Sequence, residues 1–269
     1  VQRLFRLRQI EKVKDMQEEL LNKLRHITEE ETLILQGASQ IQSNLYTTQF
    51  AKPSDFTIDS KKLLEKGCLI EVRPHTRFVH FPKHRHNYVE LIYMCSGNTT
   101  HILNGTDKLV LQEGDLLFLN QNASHEILPA GENDIAVNFI ILPEFFDRSV
   151  SMIEQENILR DFLLSALSGS TSLYSYLHFS AKDIPPVLNL LENMIWTIFW
   201  NKQNTNTINQ TTMGLVLMNL SVFAEKLNCP VPEQYEQTQI FTILQYIETH
   251  YKSGTLAEIS AQIRQPTYY

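Results

Sequence analysis

The stretch "HFPKHRHNYVELIYMCSG", His80 to Gly97, governs the reading of the whole chain. It sets three histidines and a glutamate close together and then runs into an apolar strand. His84 and His86 are two apart, and Glu90 keeps their parity. Side chains of equal parity on a regular extended strand share one face. The spacing therefore predicts that His84, His86 and Glu90 point into one interior. His125, in "NASHEI", is the natural fourth member from another strand. Three imidazoles and a carboxylate suit a divalent ion such as zinc, iron, manganese or nickel. The same groups also suit contacts to an organic ligand with no metal, or a polar-lined core with no remaining chemistry, so all three readings stand at this point. Parity adds Tyr88, Ile92 and Met94 as pocket-lining candidates. Pro82 interrupts the pattern, so the face is not extended to His80.

Working outward, the zone from about Gln36 to Leu142 carries short runs rich in Val, Ile, Leu, Phe and Tyr: "THILNG", "DKLVLQEG", "DLLFLN", "DIAVNFIIL". Turn signals separate them, and Asn104-Gly105 between two such runs marks a hairpin. Many short strands at this spacing predict a β-barrel or jelly roll. Upstream, Leu7, Ile10, Val13, Met16, Leu20, Leu24 and Ile27 recur at helical steps among charged residues, predicting an amphipathic helix over 1–35. Its heptad puts Gln17 at a core position, so packing against the body competes with a coiled-coil dimer.

Downstream, 144–227 returns to helical patterning. Asp183 followed by Ile-Pro-Pro reads as an N-cap with prolines in the first turn. Ile184, Val187, Leu188, Leu191, Ile195 and Ile198 follow helical spacing. The polar run "NKQNTNTINQTT" leads to a second helix carrying Leu215, Leu217, Met218, Val222 and Leu227. An α-hairpin is expected, with Trp196 and Trp200 as i,i+4 neighbours. Residues 228–237, "NCPVPEQYEQ", read as a linker. From 238 to 269 the pattern is helical again. Thr255 and Glu258 form a capping box for a helix over Leu256 to Ile263. Pro266 suits the first position of another helix, into which the chain barely extends; a truncated segment is expected there.

The chain has 269 residues, 43 % hydrophobic and 20 % charged, enough for a sizeable core. A net charge of −7 argues against a chain-wide basic surface for nucleic acid. Cys68, Cys95 and Cys229 are scattered, with no CxxC pair, which suits a reducing compartment and buried small apolar roles. The run "MGLVLMNLSVFA" is too short to cross a bilayer, and the charged N-terminus does not resemble a signal peptide. A cytoplasmic protein with no membrane role is expected.

"HRHNYVELIYMCSG" resembles the first cupin motif, with His84, His86, Glu90 and Gly97 at the matching positions. "GDLLFLNQNASH" resembles the second, through Gly114 and His125. The family's proline falls on Asn120, an internal glycine on Asn122, and the glycine expected before the first motif on Phe78. A cupin-type barrel, an α-hairpin and then "ILQYIETHYKSGTLAEISAQIRQPTYY" together resemble the AraC/XylS family of transcriptional regulators. The last segment is similar to the linking helix and first helix-turn-helix of that family. Ala257 and Ala261 fall where small residues let its two helices pack.

The resemblance implies an α+β protein with a cupin-like barrel over 36–143, a helical dimerisation region and the start of a helix-turn-helix. It implies a regulator rather than an enzyme. His84, His86, Tyr88, Glu90 and His125 would touch a small effector, sugars being common in the family, and one divalent metal is the alternative occupant. It implies a homodimer acting on DNA, with Pro266, Thr267, Tyr268 and Tyr269 opening the recognition helix. Between Thr238 and Tyr269 the charges are Lys252, Arg264, Glu248 and Glu258, which offers no basic footprint for phosphates. Weak DNA binding is therefore expected of this stretch alone. The rival reading is a metal-dependent cupin enzyme of dioxygenase or isomerase type.

Overall fold

The computed structural model describes residues 18–37, 41, 46, 56–153, 157–169, 174–200, 205–224, 246–247, 250 and 254–263. The chain divides into two compact units, Val1–Leu227 and Asn228–Tyr269.

The first unit is built on two five-stranded sheets. In chain order the strands are β1 (Phe56–Ile58), β2 (Ile70–Pro74), β3 (Phe81–His86), β4 (Val89–Ser96) and β5 (Asn98–Leu103). They continue with β6 (Asp107–Gln112), β7 (Asp115–Leu119), β8 (His125–Ile127), β9 (Ile135–Ile141) and β10 (Tyr176–Ser180). One sheet has the order β1-β3-β8-β5-β6 and the other β10-β7-β4-β9-β2. This is the two-sheet barrel that the turn spacing predicts.

The two sheets differ in covering, and their sequences show why. On β5 and β6 buried and exposed residues largely alternate, as in a sheet with one wet face. On β4, β7 and β9 nearly every residue is buried, because helices cover the outer face of that sheet. The even residues of β4 (Ile92 and Met94) point inward into an apolar cluster with Leu103, Leu111, Leu117, Leu119 and Ala136. Tyr93, of odd parity, faces Glu192 on the covering helix instead. A second apolar cluster gathers Phe56, Ile58, Phe81, Tyr88, Ile127 and Ile140. Glu90 lies on β4 between Tyr88 of one cluster and Ile92 of the other, which defines a middle belt of the barrel.

The β5–β6 hairpin turns through Asn104 and Gly105, both at positive φ (52° and 87°), as the Asn-Gly signal predicts. Gly114 sits at φ +89°, and a Cβ there would lie 2.8 Å from Lys182 Cα, so the β6–β7 turn requires glycine. Phe78 adopts φ +68° without being glycine, at the position where the cupin pattern has one.

Three sequence expectations need correction. The helix over 1–35 is not continuous where it is described. Residues 18–24 form α1, and α2 (Glu29–Leu35) starts afresh after Thr28. Thr28 and Glu31 make a reciprocal capping box that satisfies the new N-terminus. Arg77 then engages the same Glu31 carboxylate, fixing the break against the barrel. Leu20 and Leu24 are buried, and Lys23 Nζ lies 4.2 Å from the Trp196 ring centroid, so α1 packs on its own chain.

The second correction concerns 144–227. A short helix α3 (Ser60–Leu63) lies between β1 and β2, and α4 (Phe146–Val150), α5 (Ile158–Ser168), α6 (Pro185–Ile195) and α7 (Asn206–Ala224) lie within 144–227. That region also supplies β10, which pairs with β7 from Tyr176↔Leu119 to Ser180↔Asp115. "YLHFS" alternates as an edge strand, a period hidden beside the longer helical patterns. Asp183 is not the cap of α6: Ile184 takes that place with no side-chain bond, and Pro185 enters the first turn.

Third, α6 and α7 pack as a hairpin, but the buried face of α7 is Asn209, Met213, Val216, Leu217 and Leu220. Of the face read from sequence only Leu217 is buried. Leu215, Met218 and Val222 are exposed, together with Ile208, and Leu227 lies outside the described residues. A helix this apolar all round gives periodicity little contrast. Between α6 and α7, Trp196–Trp200 form a π-helical turn, with the two tryptophan rings 4.7 Å apart.

In the second unit Leu256–Ile263 is helical, and Thr255 and Glu258 make the expected capping box. Pro266, Thr267, Tyr268 and Tyr269 lie outside the described residues.

Candidate functional site

The belt between the two apolar clusters is where the chain concentrates its buried polar groups. His84 and His86 come from β3, His101 from β5 and His125 from β8, all in one sheet. Glu90 on β4 and Asn138 on β9 face them from the other sheet, and His75 follows β2. The six titratable groups, five imidazoles and Glu90, are each at most 4 % exposed.

The convergence differs in origin from the sequence reading. His84, His86 and Glu90 do not share one strand. β3 ends at His86, and the chain crosses to the other sheet at Asn87 and Tyr88. Asn87 fixes the crossing: its N–H donates to Ile58 O, its side-chain oxygen accepts from Ser60 N–H, and its amide donates to Asp59. The imidazoles and the carboxylate thus approach from opposite walls. A bulge between Phe81 and His84 turns both inward although they are three apart. His80 stays outside, exposed, with its Nε2 2.7 Å from Glu126.

Glu90 Oε2 lies 3.5 Å from His86 Nε2 and 3.4 Å from His125 Nε2. Available nitrogens of His84, His86 and His125 fall within 4.8 Å of one another. His84 Nδ1 donates to Pro82 O at 2.8 Å, which leaves its Nε2 bare. Yet His75 Nε2, both ring nitrogens of His86, Glu90 Oε2 and His125 Nε2 have no hydrogen-bond partner in the protein. Buried polar atoms left so are costly, and three of them converge, with His86 Nε2 and His125 Nε2 each within 3.5 Å of Glu90 Oε2.

The donor set fits a transition-metal ion. Ligand atoms about 2.1 Å from a tetrahedral centre lie about 3.4 Å apart, close to both Glu90 separations. His84, His86, Glu90 and His125 would hold the ion. Electrostatics favour the imidazoles as ligands and oppose the carboxylate. Burial lowers His84 to about 3 and drives His86, His101 and His125 well below the usual imidazole value. Burial also raises Glu90 to about 8, against an opposing hydrogen bond from Asn138. Near neutral pH the imidazoles are therefore uncharged, the form that ligates a metal, whereas Glu90 carries a proton that it must lose to join them.

Space discriminates between guests. The cavity lined by His75, His84, Tyr88, Glu90 and Asn138 holds about 40 Å³. Pockets for drug-sized molecules run to roughly 300–1,000 Å³. Tyr88 closes one side, its ring 4.8 Å from His86. A larger groove, about 380 Å³, opens outside the barrel between β2 and the α6–α7 turn, lined by Lys66, Val72, Arg73, Ile198, Phe199 and Asn209. Arg73 borders both spaces.

His75 and His101 were not singled out from sequence. His101 was findable: it alternates with Leu103 on a strand already recognised in "THILNG". His75 was not, since it follows Pro74 and reaches the belt through β2's place beside β9, where its Nδ1 lies 3.2 Å from Asn138 Oδ1.

Residues 67–156 match the family model of the AraC-like ligand binding domain. No curated protein matches the chain. Among solved structures, ToxT from Vibrio cholerae bound to an unsaturated fatty acid is similar at 12 % identity over 76 % of this chain and 71 % of that one, with a TM-score of 0.40. The AraC-like transcriptional activator CuxR is similar at 10 % identity over 67 % and 58 %, with a TM-score of 0.33. Among the described residues no helix is long and apolar enough to cross a membrane.

Proposed function

We propose that this chain, whose residues 67–156 form an AraC-like ligand binding domain, is the sensing part of a ligand-responsive transcriptional regulator with a divalent transition-metal ion as the guest in its barrel. The observation that carries the metal assignment is the convergence of buried His84, His86 and His125 nitrogens within 4.8 Å of one another, with Glu90 within 3.5 Å of two of them. The adjoining space lined by His84, Tyr88 and Glu90, about 40 Å³, is too small for a sugar. His84, His86, Glu90 and His125 are the proposed ligands, with Tyr88 as a wall.

The output side follows from the domain family. The C-terminal segment, including Pro266, Thr267, Tyr268 and Tyr269, takes part in DNA binding, and the guest changes the population of binding-competent molecules. The regulator acts as a homodimer through α7, whose exposed Ile208, Leu215, Met218 and Val222 form an apolar stripe at helical spacing. The proposed division is an N-terminal helical segment over 1–35, a barrel over 36–143 joined by β10, helices to 227, a linker over 228–237 and a DNA-binding arm from 238.

A second reading keeps the regulator but moves the effector. The outer groove of about 380 Å³ is large enough for an organic molecule, and it touches both the barrel edge and the hairpin.

The test uses the native full-length protein and fragments of its own genomic DNA, with Zn²⁺ supplied or removed by chelator. Specific binding that changes at least tenfold with Zn²⁺ supports the proposal. Specific binding indifferent to Zn²⁺ moves the effector to the outer groove. No DNA binding in any state overturns the regulator reading.

A further inference from the structure

Two of the arginines on the barrel have their donors committed. Arg77 is held by Glu31, Glu132 O, Arg25 O and His26 O, and Arg85 donates to Asn122 O. Arg73, half-buried on β2, differs: among the described residues it makes no hydrogen bond or ion pair. Its guanidinium lies over the Tyr46 ring, 5.7 Å from the centroid. A guanidinium placed over an aromatic face keeps its N–H donors at its edges, in a planar fork that matches a carboxylate. Arg73 borders three spaces. The barrel cavity, about 40 Å³, is too small for an organic molecule. The space of about 290 Å³ beside α2 is also lined by Glu29 and Glu30, which repel an anion. The outer groove, about 380 Å³, adds a second cation, Lys66, that makes no ion pair among the described residues.

We infer that the outer groove takes an organic carboxylate with an apolar body, its head on the Arg73 fork and its body against Ile198 and Phe199. The inference rests on the second reading above, which places an effector in this groove. Two carboxylates also border the groove, and both are accounted for. Glu71 is turned back on its own strand, where its Oε1 accepts from Val72 N–H at 2.9 Å. Glu65 is exposed and adjoins Lys66 in sequence, so solvent screens it. The apolar lining comes from Val72 on β2 and from Ile198 and Phe199 in the π-helical turn after α6. Turns of that kind recur at functional sites. The groove thus joins a charged fork on the barrel to an apolar wall on the hairpin. A molecule that spans them touches both bodies at once, which an effector that shifts one against the other must do. The same turn carries the chain's two tryptophans, Trp196 and Trp200, and so provides its own reporter of occupancy.

The test titrates the whole chain with benzoate, phenylacetate, phenylpropionate and phenylbutyrate, each beside its neutral primary amide. Calorimetry measures affinity, and tryptophan emission reports whether the groove is the place. The proteins are wild type, Arg73→Gln, Arg73→Lys and Phe199→Ser. Arg73→Lys keeps the charge and loses the fork, so it separates the loss of geometry from a failure to fold. At least one acid should bind wild type with a change in emission, and its amide should bind about 10–100-fold more weakly. Arg73→Gln should bring that acid down to the affinity of its amide and leave the amide unchanged, with Arg73→Lys between the two. Phe199→Ser should weaken acid and amide together. An acid and amide of equal affinity, or an acid indifferent to Arg73→Gln, overturns the carboxylate class; if Phe199→Ser still weakens both, the groove stands as an apolar site. No binding of any acid or amide at millimolar concentration, or binding indifferent to Phe199→Ser, overturns the reading of the groove as an effector site and the inference with it.

Discussion

Arg77→Leu should be among the most damaging single changes in the protein, although Arg77 lies outside the belt. Arg77 and Glu31 are 2 % and 1 % exposed. The guanidinium donates to Glu31 through Nε at 2.7 Å and Nη2 at 2.9 Å, and to Glu132 O through Nη1 at 2.8 Å. Nη2 also reaches Arg25 O and His26 O at 3.3 Å, the carbonyls exposed where α1 stops and α2 has not begun. Removing Arg77 leaves a buried carboxylate without its countercharge, which costs about 3–5 kcal/mol. For a unit of this size, Val1–Leu227, about 2–4 °C per kcal/mol gives a drop in Tm of about 6–20 °C. Replacing both partners, Arg77→Leu with Glu31→Leu, should recover part of that loss, because no charge is left stranded.

The pair also has a pH signature. Burial alone would raise the Glu31 pKa, but the Arg77 guanidinium and the N–H groups of Thr28 and Arg77 outweigh it and hold it below the ordinary 4.5. A depressed carboxylate stabilises the fold above its unfolded value. That contribution is lost as pH falls through the folded value, so it disappears under acid conditions below about 4. Urea melts followed by circular dichroism at several pH values measure all of this. A cost under about 1 kcal/mol for Arg77→Leu, or a double variant as unstable as the sum of the singles, would refute the reasoning.

Other outcomes follow from particular contacts. Gly114→Ala should cost more than about 1 kcal/mol by chemical denaturation, since φ +89° and Lys182 both oppose a Cβ; a neutral result would contradict the turn geometry. Phe78→Gly should cost far less than the roughly 3–5 kcal/mol of Phe118→Ala, because glycine relieves a left-handed backbone while losing a half-buried ring; equal costs in melts would count against strain at Phe78. Val222→Glu with Leu215→Glu should turn a dimer into a monomer in light scattering without lowering Tm by more than a few degrees, since both side chains are exposed; a wild-type monomer would rule out α7 as the interface.

Much of the barrel was legible in the sequence because its physics is local. Asn104-Gly105 and Gly114 mark turns that few other residues can make, and alternation on β5 and β6 reports one wet face. Helical coverage was harder. β10 is a short edge strand set among helical patterns, and its place beside β7 is a long-range pairing that no local signal announces. On α7 the apolar residues ring the helix, so periodicity selected the exposed stripe as readily as the buried one. The break before α2 was written in Thr28 and Glu31, yet the continuing run of charged and apolar residues masked it. The site shows the same division. His84, His86, Glu90 and His125 came out of a motif and a parity argument, although the crossing at Asn87 puts them on opposing walls rather than one strand. His101 shared a readable parity. His75 depended on β2 lying beside β9, which only the fold reveals.

The central claim is that the belt of His84, His86, Glu90 and His125 holds a metal ion. Elemental analysis of the purified chain, beside a His84→Ala, His86→Ala double variant folded to the same Tm within a few degrees, tests it most directly. The account predicts about one transition-metal ion per wild-type chain after supply with Zn²⁺ and dialysis, and none in the variant. A metal-free wild type, or equal metal in both proteins, would contradict it.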